Sequence, residues 1–403
     1  MKLVLICHPN FSSSQSMPRF AGMLKAAYES RGHFVEVWSP SPKVYGWVPL
    51  GRLSKWAGYV DQYLLFPRAM RRAMTHTSND TLFVFCDQAL GPLVRVVGDR
   101  PHIVHVHDLL ALRSALGEVP ENPTKITGRM YQRYIQRGFQ KARHFISISR
   151  KTQADLHRVG AVSAITSEVV YNGLNFPFSP LAQRECGKIL SGAGLPVPAS
   201  GMLLHVGGGQ WYKNLPGVIH LYARYAALVD EPLPLWCISP DPNRAVRSAL
   251  HKVPAAGRVL FYNNLESRVL QAAYSMADAL LFPSLAEGFG WPLIEAQACG
   301  CPVLTTDEAP MNEVGGDVAE YLPRLKAGGD IDAWASNGAR QLIKMLSRTP
   351  EEKRQFADRG VAWSAHFSVD KAISSYLTIY ERVLRLTCGG HGTVSPLNER
   401  VKA

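Results

Sequence analysis

The sequence predicts an α/β protein built from two doubly wound domains. The chain has 403 residues, which is long for one domain and favours two. Short apolar strands alternate with helical segments in both halves, a pattern typical of parallel sheets covered by helices. Between the halves, Phe176–Pro198 is rich in proline and lacks periodicity, so the domain linker is placed at its start.

The first predicted domain covers residues 1–178. Its first helix, Met17–Ser30, is expected to have Ser16 as its N-cap and to end at Gly32. A basic helix is predicted over residues 126–143, and a shorter helix over Thr152–Arg158. The predicted strands are Leu3–Cys7, His33–Trp38, Thr81–Cys86, His102–Val106, Phe145–Ser149 and Glu168–Tyr171.

The second predicted domain covers residues 179–367 and starts with a helix around Leu181–Ser191. A further helix is predicted from Leu215 to Leu228. The predicted strands are Met202–Val206, Leu233–Ser239, Arg258–Tyr262, Ala279–Pro283 and Pro302–Thr305. A helical stretch over residues 368–387 follows, and the glycine-containing residues 388–403 are predicted to be a flexible tail.

Composition narrows the possible settings of the protein. The opening Met1–Cys7 is typical of a first strand and not of a secretory signal, and no apolar run is long enough to span a membrane. Seven scattered cysteines without zinc spacing indicate reduced thiols, so we expect a cytoplasmic protein without a metal site. The net charge is +12, and residues 1–180 hold 22 Lys and Arg against 11 Asp and Glu. This asymmetry predicts an anionic partner for the first half: a membrane, an acidic acceptor or nucleic acid.

The segment Leu53–Met74 combines aromatic and apolar bulk with lysine and arginine, and Pro67 is expected to kink or break it. Interfacial helices have this composition, and the charge asymmetry favours a peripheral position at the inner face of the cell membrane. A core helix with a solvated basic end explains the same pattern. No aromatic-basic recognition motif accompanies the charge, so we expect no nucleic-acid partner.

A second segment carries two glutamates, Glu287 and Glu295, eight positions apart. Gly288, Gly290 and Pro292 between them exclude one continuous helix and predict strand, loop and then a helix opening at Trp291-Pro292. Both carboxylates would then rim a pocket whose floor is a helix N-terminus. Backbone amides there attract an anion and carboxylates accept hydroxyl hydrogen bonds, which predicts phosphate and sugar as ligand.

Two further features follow predicted strands. Gly207-Gly208-Gly209 comes after Val206 and precedes Lys213-Asn214 and a helix, as in phosphate-binding turns, although a surface lysine is the plainer interpretation of Lys213 alone. His107-Asp108 follows the strand His102–Val106, where open parallel sheets place ligands. For Asp108 we favour a role in capping the next helix, and for Asn172-Gly173 a turn near the interdomain crevice.

These landmarks, in this order, resemble the retaining family 4 glycosyltransferases, whose two Rossmann-like domains face each other across a cleft in the GT-B architecture. The resemblance is carried by Glu287-Gly-Phe-Gly-Trp-Pro-Leu-Ile-Glu295, its continuation to Val303, and Val206-Gly-Gly-Gly-Gln-Trp-Tyr-Lys-Asn214. It is supported by Asn312-Glu-Val-Gly-Gly-Asp317, and more weakly by Ser147-Ile-Ser149 and Tyr171-Asn-Gly-Leu174.

The resemblance implies transfer of a sugar from a nucleotide-sugar donor to an acceptor hydroxyl, with retention and without a metal ion. Lys213 would bind the donor diphosphate, Glu287 the transferred sugar and Glu295 the ribose. The loop Gly207, Gly208 and Asn214 and the amides of Gly288, Phe289 and Gly290 would complete the donor site. His107 would lie beside the reacting sugar, and the C-terminal helix would cross back to the first domain.

Two departures from the family pattern concern the same site. No arginine accompanies Lys213 in residues 208–212, and the loop over residues 10–16 lacks the family's glycines near the acceptor. The basic first half favours a lipid-linked or cell-envelope polysaccharide acceptor. The alternatives are an epimerase or phosphorylase on the same fold and a non-catalytic nucleotide-sugar-binding subunit. Residues after Tyr262, around Asn263-Asn264, are predicted to contact the base by their position.

Overall fold

The computed structural model describes residues 1–11, 16–48 and 52–388. Within these residues the chain folds around two six-stranded sheets in which every neighbouring pair of strands is parallel. The chain therefore has the predicted fold of two doubly wound α/β domains. Residues 12–15 of the loop over residues 10–16 and residues 389–403 of the predicted tail lie outside the described residues, whereas residue 388 of that tail is the last residue of a helix.

The first sheet has the strand order β2-β1-β3-β4-β5-β6. Its strands are β1 (Lys2–Ile6), β2 (Phe34–Trp38), β3 (Leu82–Phe85), β4 (His102–Val106), β5 (His144–Ser147) and β6 (Thr166–Val169). Its helices are α1 (Ser16–Glu29), α2 (Arg52–Val60), α3 (Phe66–Met74), α4 (Val94–Val97), α5 (Leu110–Ala115), α6 (Ile126–Phe139) and α7 (Arg150–Arg158). The central strands β3, β4 and β5 are buried along their whole length, as expected where helices cover both faces.

The second sheet has the order β12-β11-β10-β7-β8-β9. Its strands are β7 (Met202–Val206), β8 (Leu235–Ile238), β9 (Val259–Tyr262), β10 (Ala277–Phe282), β11 (Val303–Thr306) and β12 (Glu320–Leu322). The helices around it are α8 (Gln183–Gly192), α9 (Leu215–Ala226), α10 (Arg244–Leu250), α11 (Ser267–Met276), α12 (Trp291–Ala298), α13 (Met311–Gly315), α14 (Ile331–Leu346) and α15 (Pro350–Ser364). The sequence patterns did not predict β12, which has only three residues.

Each sheet has one point where the strand order reverses. In the first sheet this point lies between β1 and β3, and in the second it lies between β7 and β10. Loops that leave neighbouring strands at such a point diverge to opposite faces and open a crevice at the carboxyl ends, where doubly wound proteins bind ligands. A ligand site is therefore expected at the loops that follow these four strands.

The predicted interruption of Leu53–Met74 takes the form of a π-helical turn, Asp61–Leu65, between α2 and α3. Pro67 lies in the first turn of α3, where it lacks an amide hydrogen and crowds the carbonyl four residues earlier. The wider turn absorbs this conflict, so the helix is rewound and not broken. Among the described residues, no helix combines the length and hydrophobicity needed to cross a bilayer.

The last helix, α16 (Val369–Cys388), lies against the first sheet. Its Ile373, Tyr376 and Tyr380 are buried in one cluster with Leu3 and Ile103. The Tyr28 hydroxyl donates to the Tyr380 hydroxyl at 3.1 Å. The predicted turn at Asn172-Gly173 is absent, and the glycine is instead required by close packing, since a Cβ atom there would lie 2.2 Å from the Val369 nitrogen.

Candidate active site

The loops after β7 and β10 meet at the reversal point of the second sheet. Lys213 ends a 3-10 turn, Trp211–Lys213, and Asn214 then adopts a left-handed conformation (φ 55°) at the start of α9. The Asn214 side chain donates to the Pro283 carbonyl at 3.0 Å, and the Leu285 amide donates to the Tyr212 carbonyl at 2.7 Å. These bonds hold the lysine loop and the glutamate loop together.

Lys213 and Glu287 form an ion pair across these loops, with Nζ and Oε1 2.8 Å apart. The two side chains are only 13% and 7% exposed, so little solvent screens the pair. The Lys213 ammonium also lies over the Phe282 ring, 4.7 Å from its centroid. An anion that enters the site can take the place of Glu287 as partner of Lys213, which frees the carboxylate for hydroxyl donors.

The predicted loop and helix after Glu287 are present. Gly290 has φ of 100°, a conformation that favours glycine, and the next residue, Trp291, begins α12 with Pro292 in its first turn. The Phe289 side chain is buried, so this residue offers only its backbone to a ligand. The first turn of this helix lines the site at Trp291 and Pro292, so the positive end of the helix dipole attracts negative charge there.

Glu295 lies inside α12 and differs from Glu287 in its partner. Its Oε2 accepts a hydrogen bond from the buried Tyr274 hydroxyl at 2.9 Å. Burial raises the pKa of Glu295 to about 7, against the opposing effects of the Tyr274 hydrogen bond and the charge of Lys213. Two carboxyl groups on one segment therefore have separate environments, one paired with a cation and one with a phenol.

Lys213 and Glu295 line one cleft of about 480 Å³, and Glu287 lies beside it through its ion pair with Lys213. The walls of the cleft also include Gly207, Gly208, Ser239, Asn263, Asn264 and Trp291. Asn263 and Asn264 therefore belong to this cleft, and their contact with the base of a nucleotide stays a prediction. Among the described residues of this wall, Lys213 is the single cation, and no arginine takes the place of the one that the loop lacks.

His107 enters from the first domain at the end of β4. Its Nε2 donates to the Cys86 carbonyl at 2.9 Å, and its backbone amide donates to Gln88 Oε1 at 3.0 Å. Burial lowers the pKa of His107, so the ring is neutral at pH 7 with its lone pair on Nδ1. Asp108 accepts the Leu110 amide at the start of α5, although Leu109 and not Asp108 is the N-cap residue, and burial raises the pKa of Asp108 to about 6.

The two domains touch at Gly288. A Cβ atom there would lie 2.3 Å from the His107 carbonyl oxygen, so this contact requires glycine. The Ser149 hydroxyl donates to the Gly288 carbonyl at 2.9 Å, and Arg324 pairs with Glu121 at 2.7 Å. The structure therefore brings His107 of the first domain to the Glu287 loop of the second.

Sequence patterns did not identify a second polar pair, His8 and Asp87. These residues follow β1 and β3, the strands at the reversal point of the first sheet. His8 Nε2 and Asp87 Oδ2 are 3.0 Å apart, and the Ala89 amide donates to the other carboxylate oxygen at 2.8 Å. The sequence does show a polar residue directly after each of these two apolar predicted strands. Only the pairing of β1 with β3 shows that the two polar side chains meet.

Comparisons with known proteins agree with this geometry. Residues 197–320 match the family model described as Glycosyl transferases group 1, and residues 17–176 match the model described as Glycosyltransferase Family 4. The chain belongs to the family 4 glycosyltransferases with the GT-B fold. The predicted family is therefore confirmed.

Relatives of this glycosyltransferase include the MMP alpha-(1->4)-mannosyltransferase of Mycolicibacterium hassiacum, 25% identical over 59% of this chain and 54% of that protein. The O-antigen chain mannosyltransferase B of Escherichia coli is 22% identical over 65% of this chain and 66% of that protein. The chain thus matches about half to two thirds of the length of these relatives. Sucrose-phosphate synthase of Thermosynechococcus elongatus has the same fold, with a TM-score of 0.71 at 17% identity over 96% of this chain and 100% of that one.

Proposed function

We propose that the protein transfers a sugar from a nucleotide-sugar donor to an acceptor hydroxyl, with retention at the anomeric carbon. The observation that carries this proposal is the shielded pair of Lys213 and Glu287 beside the N-terminus of α12. The cation and the helix amides suit a diphosphate, and the carboxylate suits the hydroxyls of the adjoining sugar. Both parts of a sugar diphosphate would therefore find partners at Lys213 and at the carboxylate beside it.

The remaining groups have roles in the same proposal. Glu295 binds the ribose, and Asn263 and Asn264 lie at the base. The negative charge that develops on the leaving diphosphate is stabilised by Lys213 and the helix dipole, so no metal ion is needed. Glu287 accepts the hydroxyls of the sugar and Glu295 accepts the Tyr274 hydroxyl, so neither carboxylate is assigned as a nucleophile. Departure and attack then occur on the same face, and the leaving phosphate takes the acceptor proton.

Substitutions at the ion pair test the donor site. Lys213→Met is expected to lower transfer about 100-fold or more under donor-limited conditions, as loss of one stabilising group does at other charge-developing sites. Lys344→Met, an exposed lysine on α14, is the matched control and should retain activity. Near-normal transfer by Lys213→Met would sink the assignment. The anomeric configuration of the product, measured by NMR at early times, decides between retention and inversion.

The names of the relatives guide the choice of substrates. Two are named mannosyltransferases and one of these acts on O-antigen chains, so we propose a mannose or related hexose donor and a lipid-linked or cell-envelope acceptor. Such an acceptor would be used at the inner face of the cell membrane by a peripherally bound chain. Thermal-shift screening against GDP-mannose, UDP-glucose and other sugar nucleotides identifies the donor. If none of these sugar nucleotides raises the melting temperature, the result contradicts the proposed donor site.

One observation keeps a second function open. Because a single cation lines the described part of the cleft, the chain could bind a sugar nucleotide without catalysing its transfer. Transfer by the isolated chain excludes such a non-catalytic subunit. Incubation with donor alone, or with donor and inorganic phosphate, reveals an epimerase or a phosphorylase by an isomerised sugar nucleotide or a sugar phosphate.

A further inference from the structure

Two segments that the donor cleft does not use have together a net charge nearly as large as that of the whole chain. Residues 43–74 and 125–143 contain twelve Lys and Arg and one Asp, a net charge of +11 against +12 for the chain. The aspartate, Asp61, is buried and accepts the backbone amides of Val44 and Tyr45 at 2.9 and 2.8 Å. It is therefore occupied inside the fold and leaves the surface cations without an acidic neighbour in either segment.

The described residues of the two segments, 43–48, 52–74 and 125–143, form one surface, which we call the basic aromatic face. The Tyr63 and Tyr131 hydroxyls are hydrogen-bonded at 2.8 Å, and their helices enclose an open groove of about 550 Å³. Trp56, Leu53 and Tyr134 are among the largely apolar side chains that line it. Around the groove, Trp47, Leu53, Ile126 and Met130 are 90%, 70%, 76% and 65% exposed. Such a concentration of exposed apolar side chains indicates a binding surface.

We propose that the basic aromatic face binds an anionic lipid bilayer. Tryptophan and aliphatic side chains enter the headgroup and upper acyl region, while lysine and arginine contact anionic headgroups. Lys55 and Arg68 flank the groove, since Lys55 lies over the Tyr59 ring and Arg68 donates to the Leu64 carbonyl. The exposed Leu53, Ile126 and Met130 favour lipid over nucleic acid, which offers them no apolar phase.

The face also connects to the pair of His8 and Asp87. Phe11, in the loop after β1, stacks on Tyr45 with ring centroids 4.6 Å apart and lies 3.5 Å from the Cβ position of Gly58. The same loop begins at His8, at the reversal point of the first sheet. A bilayer bound to this face is therefore linked by a short loop to His8 and its partner Asp87. The inference goes beyond the transfer reaction, because a chain unable to transfer sugar should still bind lipid.

Vesicle flotation tests this inference. The full chain is expected to float with phosphatidylcholine vesicles that contain phosphatidylglycerol, to bind pure phosphatidylcholine less, and to be released by high salt. Lys55→Gln with Arg68→Gln should weaken binding roughly fivefold for each cation removed. Trp47→Ser and Trp56→Ser should each weaken it about tenfold, because both indoles are exposed and their loss leaves the core intact.

Matched controls lie on the second domain. The double variant Arg244→Gln with Arg247→Gln removes two exposed arginines of α10, and Leu228→Ser removes an exposed leucine. Both variants should float like the wild type. Lys213→Met should float normally while losing transfer, which separates this inference from the donor site. The proposal is overturned if the wild type fails to float with anionic vesicles at low salt. It is also overturned if the face variants float as well as the wild type. If the wild type binds no vesicles but dimerises or binds an oligonucleotide, and the face variants lose that binding, the face belongs to that other partner.

Discussion

Glu295 provides a test in which stability and ligand binding should change in opposite directions. Its pKa is raised from 4.5 to about 7, mainly by burial. Folding therefore favours the protonated form, and the stability this group contributes is present below pH 4.5 and is lost as the pH rises through about 7. At about 1.4 kcal/mol per pH unit, the loss amounts to roughly 3 kcal/mol at pH 8.

Glu295→Gln keeps the shape of the side chain and an oxygen for the Tyr274 hydroxyl but has no charge to bury. We expect this variant to be more stable than the wild type by roughly 2–3 kcal/mol at pH 8, and by little at pH 5. It should also bind UDP or GDP about tenfold more weakly, because a carboxylate accepts ribose hydroxyls more strongly than an amide. Urea unfolding at both pH values and calorimetric titration with the nucleotide measure the two effects.

The stability gained by Glu295→Gln should depend on pH, and two further variants check the cause. Glu231→Gln, at an exposed glutamate of the same domain, is the control and should change stability by less than about 0.5 kcal/mol at either pH. Tyr274→Phe removes the hydrogen bond that lowers the pKa of Glu295, so the stability loss should move to higher pH. If Glu295→Gln differs from the wild type by the same amount at pH 5 and pH 8, the carboxyl does not titrate as described. Unchanged nucleotide affinity would remove its ribose role.

Three further outcomes follow from the cleft. Gly288→Ala should lower transfer about 100-fold with little loss of stability, since the added Cβ separates Gly288 from the His107 carbonyl; normal kinetics would show that this contact is not needed for closure. Asp87→Asn should lower transfer about tenfold or more and leave nucleotide affinity unchanged, because His8 loses its charged partner and the pair lies in the first domain, away from Lys213; a parallel loss of nucleotide affinity would contradict this separation from the donor site. Transfer should survive EDTA, and a loss restored by Mg²⁺ would contradict the assignment of the cation's role to Lys213.

Local patterns predicted much of the fold because buried strands and amphipathic helices produce hydrophobic patterns within a few consecutive residues. The strand His102–Val106 and the helix opening at Trp291-Pro292 occur at the predicted residues. The glycines and proline between Glu287 and Glu295 constrain only their own backbone, so the loop and helix followed from spacing alone. The three-residue strand β12 carries too little pattern to be predicted, and the π turn depends on how the helix absorbs Pro67.

Pairs of distant residues were beyond such patterns. Lys213 and Glu287 are 74 positions apart, and His8 and Asp87 are 79 apart. The bond between Tyr274 and Glu295 likewise depends on how α11 packs against α12. The sequence could therefore propose which residues belong to the donor site, but only the strand order shows which of them touch.

The bond between Lys213 and Glu287 has a consequence for donor binding. A diphosphate must replace Glu287 as partner of Lys213, and the carboxylate, only 7% exposed, then needs sugar hydroxyls to donate to it. A nucleoside diphosphate supplies the first partner but not the second, so UDP or GDP alone should bind more weakly than the intact sugar donor. Glu287→Gln frees Lys213 in advance and should therefore bind the nucleoside diphosphate more tightly than the wild type while losing transfer. Calorimetric titration measures both affinities, and weaker diphosphate binding by this variant would show that the ion pair does not compete with the donor.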